Sequence, residues 1–301
     1  MAAVGPAVRP GSTRAWLLAA RPATLSLGAV PVLVGTATAL RAGHVRWLAA
    51  TLCLLGAIGL QIGANLANDL FDHEKGADTE ARLGPVRVTQ AGLLSPRAVR
   101  IGLVAAFAFA TLAGAGLVAL AGWPILVVGV LSIVAGLAYT GGPYPLGYHG
   151  LGEVFVFAFF GVVAVVGTHW VQAGSIELLP LALSVPVGAL AAAVLVVNNV
   201  RDRDTDVLAG KKTLAVRFGR TFGVTEYALL LVAAYAVPGW LYLAGRVGPA
   251  ILLPYVTAPV ASVLARAVAA EHGAPLNRRL VATARLSLLF GALLVVGLVL
   301  G

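Results

Sequence analysis

Charged residues are scarce in this sequence, and their scarcity excludes an ordinary soluble domain. Lysine, arginine, aspartate and glutamate together make up 11% of the 301 residues, whereas soluble domains usually carry about 25%. Hydrophobic residues reach 59%, and the mean hydropathy is +0.93. The composition therefore predicts an all-α, polytopic membrane protein.

Cysteine is nearly absent as well. Cys53 is the single cysteine and lies in an apolar run, which excludes a disulfide framework and favours a small buried side chain. No nucleic-acid-binding motif accompanies the net charge of +9, so we attribute that charge to membrane topology and to anionic lipids. Residues 1–13 lack a cleavable signal pattern, and we expect residues 1–12 to form a flexible tail.

Long apolar runs dominate the rest of the chain. Nine of them approach the ~20 residues that a membrane-spanning helix needs. The segment that begins at residue 124 is the weakest, because Gly141-Gly142-Pro143 ends it early. Residues 12–20 predict a short interfacial helix anchored by Trp16. The nine predicted spans are residues 22–40, 48–69, 98–120, 124–141, 152–173, 178–199, 222–243, 248–268 and 280–300.

The basic residues fall mostly on one side of this predicted topology. Nine spans place 18 of the 21 lysines and arginines on the side that holds the N-terminus. Arg41, Arg46 and Arg246 remain on the other side. Since cytoplasmic loops carry the excess of lysine and arginine, this pattern predicts a cytoplasmic N-terminus. The composition also suggests a bacterial chain and hence a bacterial cell membrane.

Acidic residues form two clusters, each at the end of a predicted span. Eight of the 12 aspartates and glutamates follow spans 2 and 6, four spans apart. Helical spacing places the polar side chains of each cluster on one face, and an internal repeat of this kind predicts a shared site. We call these sets the first acidic row, Asn65, Asn68, Asp69 and Asp72, and the second acidic row, Asn198, Asp202 and Asp206.

Three interpretations of these rows compete. The first is salt bridging at helix ends, such as Asp202 with Arg201 or Arg203 and Asp72 with Lys75. The second is an ion or proton pathway in a transporter, although the acids lie at span ends and not at the mid-bilayer. The third is Mg2+ held on a diphosphate, because Mg2+ prefers oxygen ligands and completes its shell with phosphates. Neighbouring basic residues favour this third interpretation.

Several runs of residues resemble the UbiA-type intramembrane prenyltransferases. Asn68-Asp69-x-x-Asp72 and Asp202-x-x-x-Asp206 are similar to the two Asp-rich motifs of that superfamily. Further runs resemble its 1,4-dihydroxy-2-naphthoate polyprenyltransferase (MenA-like) branch, and the resemblance covers essentially the whole chain. These runs are residues 21–25, 68–79, 84–92, 142–153, 198–202 and 210–215.

The resemblance implies nine helices around a central cavity and a single prenyltransferase domain over residues 1–301. Residues 70–97 and 200–221 would be cytoplasmic loops that cap the active site. The implied reaction joins a polyprenyl diphosphate to 1,4-dihydroxy-2-naphthoate with Mg2+ as cofactor, releasing diphosphate and carbon dioxide and giving demethylmenaquinone. Prenyl transfer to 4-hydroxybenzoate or another acceptor is the nearest alternative, and metal-ion or anion transport is the alternative of another class.

The resemblance also implies roles for individual residues. The catalytic set is Asp72, Asp202, Asp206 and Tyr139. The metal set is Asn68, Asp69, Asp72, Asp78, Asp202 and Asp206. Diphosphate would contact Arg82, Arg87 and Lys211, and the acceptor would contact Arg21 and Glu153. Asn65 and Asn198 would either bind the metal themselves or orient the residues that bind it.

One position departs from the superfamily pattern. Many members carry a second aspartate four residues after the position of Asp72, where this chain has Gly76. Asp78 is the candidate replacement.

We also expect His169 and Trp170, at the outer end of span 5, to be interfacial residues and not a metal site.

Overall fold

The computed structural model describes residues 8–77 and 83–301, and every regular element in these two ranges is helical. The first elements are α1 Thr13–Ala20, α2 Pro22–Arg41, α3 Trp47–Glu74, α4 Pro96–Ala121 and α5 Pro124–Ala138. After a 3₁₀ turn at Leu146–His149 come α6 Gly152–Val156, a π-helix Phe157–Val166, α7 Gly167–Ala173, α8 Leu178–Leu208 and α9 Leu214–Phe218. The last are α10 Arg220–Leu243, a 3₁₀ segment Pro249–Thr257, α11 Ala258–Ala270 and α12 Leu276–Leu300.

The short helix predicted over residues 12–20 is present as α1, Thr13–Ala20. Ser12 caps it by accepting a hydrogen bond from the Ala15 amide. Arg21 separates α1 from α2 with a left-handed backbone (φ 51°), and Pro22 then starts α2. Trp16 packs inward as well, because a Cβ on Gly102 of α4 would lie 2.6 Å from its ring. The tryptophan thereby docks α1 onto α4.

Eight helical stretches of the described residues are long and apolar enough to cross a membrane. They correspond to eight of the nine predicted spans. The remaining segment forms α5, whose 15 residues extend about 22 Å at 1.5 Å per residue. That length falls short of the ~30 Å hydrocarbon core of a bilayer.

The predicted ends of two spans are wrong. Span 2 continues to Glu74 and span 6 to Leu208, past the predicted ends at residues 69 and 199. Both acidic rows therefore lie on the last turns of continuous helices. The helices persist because their polar side chains find partners, and each ends just before a glycine of positive φ, Gly76 or Gly210.

Helix α8 is central to the largest apolar cluster. Most of its membrane-length window is buried, and it packs against the π-helix, α10 and α12. A second cluster joins α1, α3 and α4. The two clusters flank a cavity, so each acidic row is carried by the principal helix of one side.

Glycine permits a close approach of the π-helix to α8. A Cβ on Gly161 would lie 2.7 Å from the Ser184 carbonyl oxygen and 2.9 Å from the Gly188 Cα. The π-helix therefore crosses α8 almost backbone to backbone. Any side chain at either glycine would separate these two elements.

His169, which we expected to be an interfacial residue, has a side chain that is fully buried within the protein. Its Nδ1 lies 3.0 Å from the Thr38 hydroxyl on α2. Its Nε2 lies 3.5 Å from a Glu177 carboxylate oxygen. Helix α7 packs against α2, and this packing encloses the ring at the end of the molecule opposite the acidic rows.

Candidate functional site

A cavity of about 620 Å³ runs between the two halves of the helix bundle. Its body is lined by apolar residues of α2–α5 and the π-helix, and it extends as far as Leu117 and Ile125 near the α4–α5 turn. Its other end is polar. The polar lining comprises Arg21, Asn65, Asn68, Asp72, Arg87, Tyr139, Tyr148, Asn198, Asn199, Asp202, Asp206 and Lys211.

Asp72 is the most heavily contacted member of the first acidic row. Its side chain is 1% exposed. One oxygen accepts a 2.7 Å hydrogen bond from Arg87. The other accepts a 2.6 Å bond from the Tyr148 hydroxyl and lies 3.5 Å from Lys211 Nζ. These donors fix the direction of the Asp72 carboxylate.

The two asparagines of this row have different surroundings. The Asn68 side-chain oxygen accepts a 2.9 Å hydrogen bond from the Thr140 hydroxyl. Asn65 donates to the Ala20 carbonyl and the Thr24 hydroxyl, so it holds the α1–α2 corner. That corner presents Arg21, which lines the cavity.

Asp69 faces away from the other members of the row. One of its oxygens accepts from the Val88 amide at 3.0 Å. The second accepts from the Thr89 amide at 3.0 Å and from the Thr89 hydroxyl. Asp69 does not line the cavity. The structure thus separates Asp69 from the residues with which the sequence grouped it and makes it the anchor of the α3–α4 loop.

The second acidic row is organised by a neighbour on its own helix. Arg201 Nε and Nη2 donate to the two oxygens of Asp202 at 2.8 and 2.5 Å. Arg201 also donates to the side-chain oxygen of Asn198 at 2.7 Å. Asp202 thus forms the pair with Arg201 that the salt-bridge interpretation gave as one example. Asp202 and Asp206 are both buried and line the cavity.

Lys211 joins the two rows. Its Nζ lies 3.5 Å from Asp72 and 4.0 Å from Asp206. It also lies 4.7 Å from the centre of the Tyr148 ring, where a cation–π contact adds to the ion pairs. The two rows therefore lie close together, as the sequence predicted, because one lysine contacts an aspartate of each row.

Lys75 does not form the predicted salt bridge with Asp72. Its ammonium donates to the Thr140 carbonyl at 2.6 Å and lies 5.0 Å from the Tyr148 ring centre. Burial lowers the pKa of Lys75; the charge of Asp72 opposes this shift, and the charge of Lys211 adds to it. Arg87, from the α3–α4 loop, takes the place predicted for Lys75.

Tyr139 and Glu153 occupy the wall shared by α5 and α6. Tyr139 lines the cavity, and a Cβ on Gly152 would lie 2.9 Å from its hydroxyl. Glu153 is buried behind the cavity-lining Asn199, whose amide donates to it at 2.6 Å. The second carboxylate oxygen of Glu153 has no hydrogen-bond partner among the described residues.

Sequence reasoning missed three polar groups at this site. Tyr148 binds Asp72 across 76 positions of sequence. Thr140 binds Asn68 across 72 positions, and Asn277 accepts a hydrogen bond from Arg201 across 76. Tyr148 lies within the run at 142–153 that carried the family resemblance, which is the one signal that would have identified it. Asp78 and Arg82 lie outside the described residues.

The oxygen atoms at the polar end suit a hard divalent cation. The donors on the cavity wall are the carboxylates and amides of Asn68, Asp72, Asp202 and Asp206. Within the described ranges, no three acidic, histidine or cysteine side chains lie close enough to hold a metal alone. Mg2+ fits such a sparse oxygen set, since it takes one or two carboxylates and completes its shell with phosphate oxygens and water.

The chain has recognisable relatives. The profile of the UbiA prenyltransferase family matches residues 28–289. The 1,4-dihydroxy-2-naphthoate octaprenyltransferase of Mycobacterium leprae is 43% identical over 218 residues, which cover 72% of this chain and 74% of the relative. The enzyme of that name from Bacillus subtilis is 30% identical over 280 residues, which cover 92% of this chain and 90% of the relative.

A solved structure shares the fold. It is a UbiA homologue from Archaeoglobus fulgidus bound to GPP and Mg2+, with a TM-score of 0.66 and 16% identity. The match covers 95% of this chain and 100% of the homologue. The likeness therefore extends over the whole helix bundle.

Proposed function

Because this chain belongs to the UbiA prenyltransferase family, we propose that it transfers a polyprenyl group from polyprenyl diphosphate to 1,4-dihydroxy-2-naphthoate. Diphosphate and carbon dioxide leave, the two ring hydroxyls remain, and demethylmenaquinol, the reduced form of demethylmenaquinone, forms. Relatives at 30–43% identity carry the name of this activity. The chain would act in menaquinone biosynthesis.

The observation that carries the proposal is one cavity with two chemically different parts. Its apolar body suits an isoprenoid chain, and its polar end brings Asp72, Asp206 and Lys211 into one cluster. A prenyl diphosphate has the same two parts.

Mg2+ would be held by both rows through their oxygen atoms. Asn68 and Asp72 would bind on one side and Asp202 and Asp206 on the other, with Asp78 added from the loop. When bound, Mg2+ withdraws charge from the diphosphate and so favours its departure. We leave Asp69 out of this set because, unlike the four residues of the rows named above, it does not line the cavity.

The cations would bind the remaining phosphate charge. Arg87 and Lys211 line the cavity next to Asp72, and Arg82 would approach from the same loop. As the carbon–oxygen bond breaks, the diphosphate keeps the bonding electrons, and preorganised cations stabilise that developing charge. The enclosed apolar wall keeps water from the allylic cation.

The acceptor would enter beside Arg21. The Arg21 guanidinium would bind the naphthoate carboxylate until that carboxylate leaves as carbon dioxide. The Glu153–Asn199 pair would orient a ring hydroxyl from the opposite wall, with Asn199 facing the cavity. The Tyr139 ring would stabilise the allylic cation through its π-face. Asn65 and Asn198 would act by fixing Arg21 and Arg201.

The membrane arrangement completes the proposal. We propose nine spans that form a single transmembrane domain, with α5 as the short one, and a cytoplasmic N-terminus. The excess of basic residues on that side supports this orientation. The polar end of the cavity and its capping loops, residues 70–97 and 200–221, would open to the cytoplasm of a bacterial cell.

The test is turnover with a panel of acceptors. Purified protein in lipid nanodiscs receives Mg2+, farnesyl diphosphate and either 1,4-dihydroxy-2-naphthoate or 4-hydroxybenzoate, and mass spectrometry detects the prenylated product. We expect product with the naphthoate only. Product with 4-hydroxybenzoate alone would overturn the acceptor assignment. No product with any aromatic acceptor would overturn the enzyme assignment and favour transport.

A further inference from the structure

We infer that Asn277, at the start of α12, is a positioning residue that couples the α3–α4 loop to the second acidic row. It fixes the position of the first half of the diphosphate site, around Asp72, relative to the second half, around Asp202. The inference rests on the proposed function only in naming a diphosphate as the ligand. It is drawn from the two hydrogen bonds of Asn277, whose partners are far apart in sequence, and from the further hydrogen bonds that those partners and the adjoining loop make.

Asn277 uses both ends of its amide. Its Nδ2 donates to the Leu83 carbonyl at 2.6 Å, and its Oδ1 accepts from Arg201 Nη1 at 2.8 Å. The two partners belong to different parts of the chain, 194 and 76 positions away. Few side chains other than asparagine combine a donor and an acceptor in so short a group. A side-chain amide therefore suits this position, because it satisfies both partners at once.

On one side, Asn277 fixes Arg201. The Arg201 side chain is fully buried and donates to both oxygens of Asp202 and to Asn198. Its planar guanidinium has a rigid set of donors, so a partner at one end sets the direction of the others. Asn277 thus fixes the angle at which Arg201 holds Asp202.

On the other side, Asn277 holds one end of the crossing loop, which we define as residues 83–89. Leu83 is tied to α12 by Asn277, and Val88 and Thr89 are tied to α3 by Asp69. Between these ends, Pro85 and Arg87 line the cavity. The crossing loop therefore bridges the cavity mouth from α12 to α3.

The two attachments of the crossing loop determine where Arg87 lies. Arg87 donates to Asp72 of the first row, while Arg201 holds Asp202 of the second. Asn277 is the one described residue that hydrogen-bonds both to the crossing loop and to Arg201. A diphosphate bound between the rows would need Arg87 and Asp202 to be correctly placed at the same time. Loss of Asn277 should therefore weaken diphosphate binding and leave acceptor binding unchanged.

Two variants separate the two bonds of Asn277. Asn277→Leu removes both, whereas Asn277→Asp keeps an acceptor for Arg201 and loses the donor to Leu83. We expect each to raise the KM for farnesyl diphosphate about tenfold, which is the effect of losing about 1.4 kcal/mol of binding. The KM for the acceptor and kcat should change less than twofold. Limited trypsin digestion should cut the α3–α4 loop faster in both variants.

Glu271→Gln is the matched control. It breaks the Glu271–Arg279 ion pair beside the same end of α12 without touching the crossing loop or Arg201. We expect it to lower the melting temperature and to leave both KM values unchanged. An Asn277→Leu variant that lowers only the melting temperature, or raises both KM values equally, would overturn the inference. So would an Asn277→Asp variant that behaves as the wild type.

A binding measurement distinguishes this inference from the proposed function. Farnesyl diphosphate with Mg2+ should raise the melting temperature of the wild-type protein in detergent, and the Asn277 variants should need about tenfold more ligand for the same shift. If no acceptor is prenylated but this difference persists, the proposed reaction fails and the inference stands. Equal shifts in wild type and variants would overturn the inference alone.

Discussion

The two acidic rows have similar spacing but are held in different ways. Asp72 of the first row is contacted by Arg87 from a loop, Tyr148 from a turn and Lys211 from beyond α8. Asp202 of the second row is held by Arg201, the residue before it on the same helix. The first row thus depends on tertiary structure, and the second is largely set by local sequence.

This difference predicts where each row is vulnerable. Changes in distant loops should disturb Asp72, because its donors come from three segments. Asp202 should respond mainly to changes at Arg201 and its partners. Four predictions test the comparison, beginning with the largest expected effect.

Neutralising either aspartate should have the largest effect. We expect Asp72→Asn and Asp202→Asn each to lower kcat/KM about a thousandfold, a loss of about 4 kcal/mol of transition-state stabilisation. Helical circular dichroism should stay unchanged. Asp204→Asn is the control, because Asp204 is on the same helix but its side chain is 90% exposed. Near-normal turnover in Mg2+ for either row variant would contradict the metal assignment.

Removing the lysine between the rows should come next. Lys211→Gln removes the charge that contacts Asp72 and Asp206, and charged hydrogen bonds contribute about 1.5–3 kcal/mol each. Steady-state kinetics should show kcat/KM for the diphosphate about a hundredfold lower. Lys212→Gln, at the exposed neighbouring position, should leave it unchanged. Equal losses in the two variants would mean that Lys211 acts only through overall charge.

The loop anchor should matter less for activity and more for stability. Asp69→Asn replaces an oxygen that accepts from the crossing loop, which costs about 1–3 kcal/mol of folding free energy. We expect a lower melting temperature and about a tenfold loss of activity, with the Mg2+ concentration for half-maximal rate unchanged. Thr89→Val, which removes one donor to Asp69, should show a smaller loss of stability. A large rise in the Mg2+ requirement of Asp69→Asn would return Asp69 to the metal set.

The smallest effect should come from the tyrosine hydroxyl. Tyr148→Phe removes one hydrogen bond to Asp72 and keeps the ring beside Lys75 and Lys211. Because Arg87 and Lys211 still contact Asp72 in this variant, we expect initial-rate measurements to show kcat/KM falling only about three- to tenfold, which corresponds to about 1 kcal/mol. Tyr144→Phe is the control, because the Tyr144 ring stacks on His149. No change in Tyr148→Phe would show that Arg87 and Lys211 suffice to orient Asp72.

Local patterns were enough to predict the helices and the two rows. The helices were predicted from apolar runs of membrane length, and the rows from oxygen-bearing side chains at helical spacing. Both patterns involve residues that are close in sequence, so they can be recognised without knowing the tertiary contacts. The same spacing misled us at Asp69. Three residues along a helix return to within about 60° of the starting direction, and that rotation is enough to turn Asp69 toward the crossing loop while Asp72 lines the cavity.

Long-range contacts explain what could not be predicted. Tyr148, Thr140 and Asn277 approach the rows only after the helices have packed, and nothing in their local sequence marks a partner. The helix ends at Glu74 and Leu208 were missed for a related reason. Polar residues normally stop a predicted membrane span, whereas here they continue it, because their side chains are paired inside the protein.

The π-helix at Phe157–Val166 gives the cavity wall an unusual register. Its wider turns bond residue i to residue i+5, so each side chain from Phe157 onward is rotated from its place on an α-helix. Phe159, Phe160 and Val163 line the cavity in this winding. Deleting one residue there would change which rings face the ligand without shortening the span by more than one rise. The shape of the cavity at this wall therefore depends on the number of residues in the π-helix as much as on their identity.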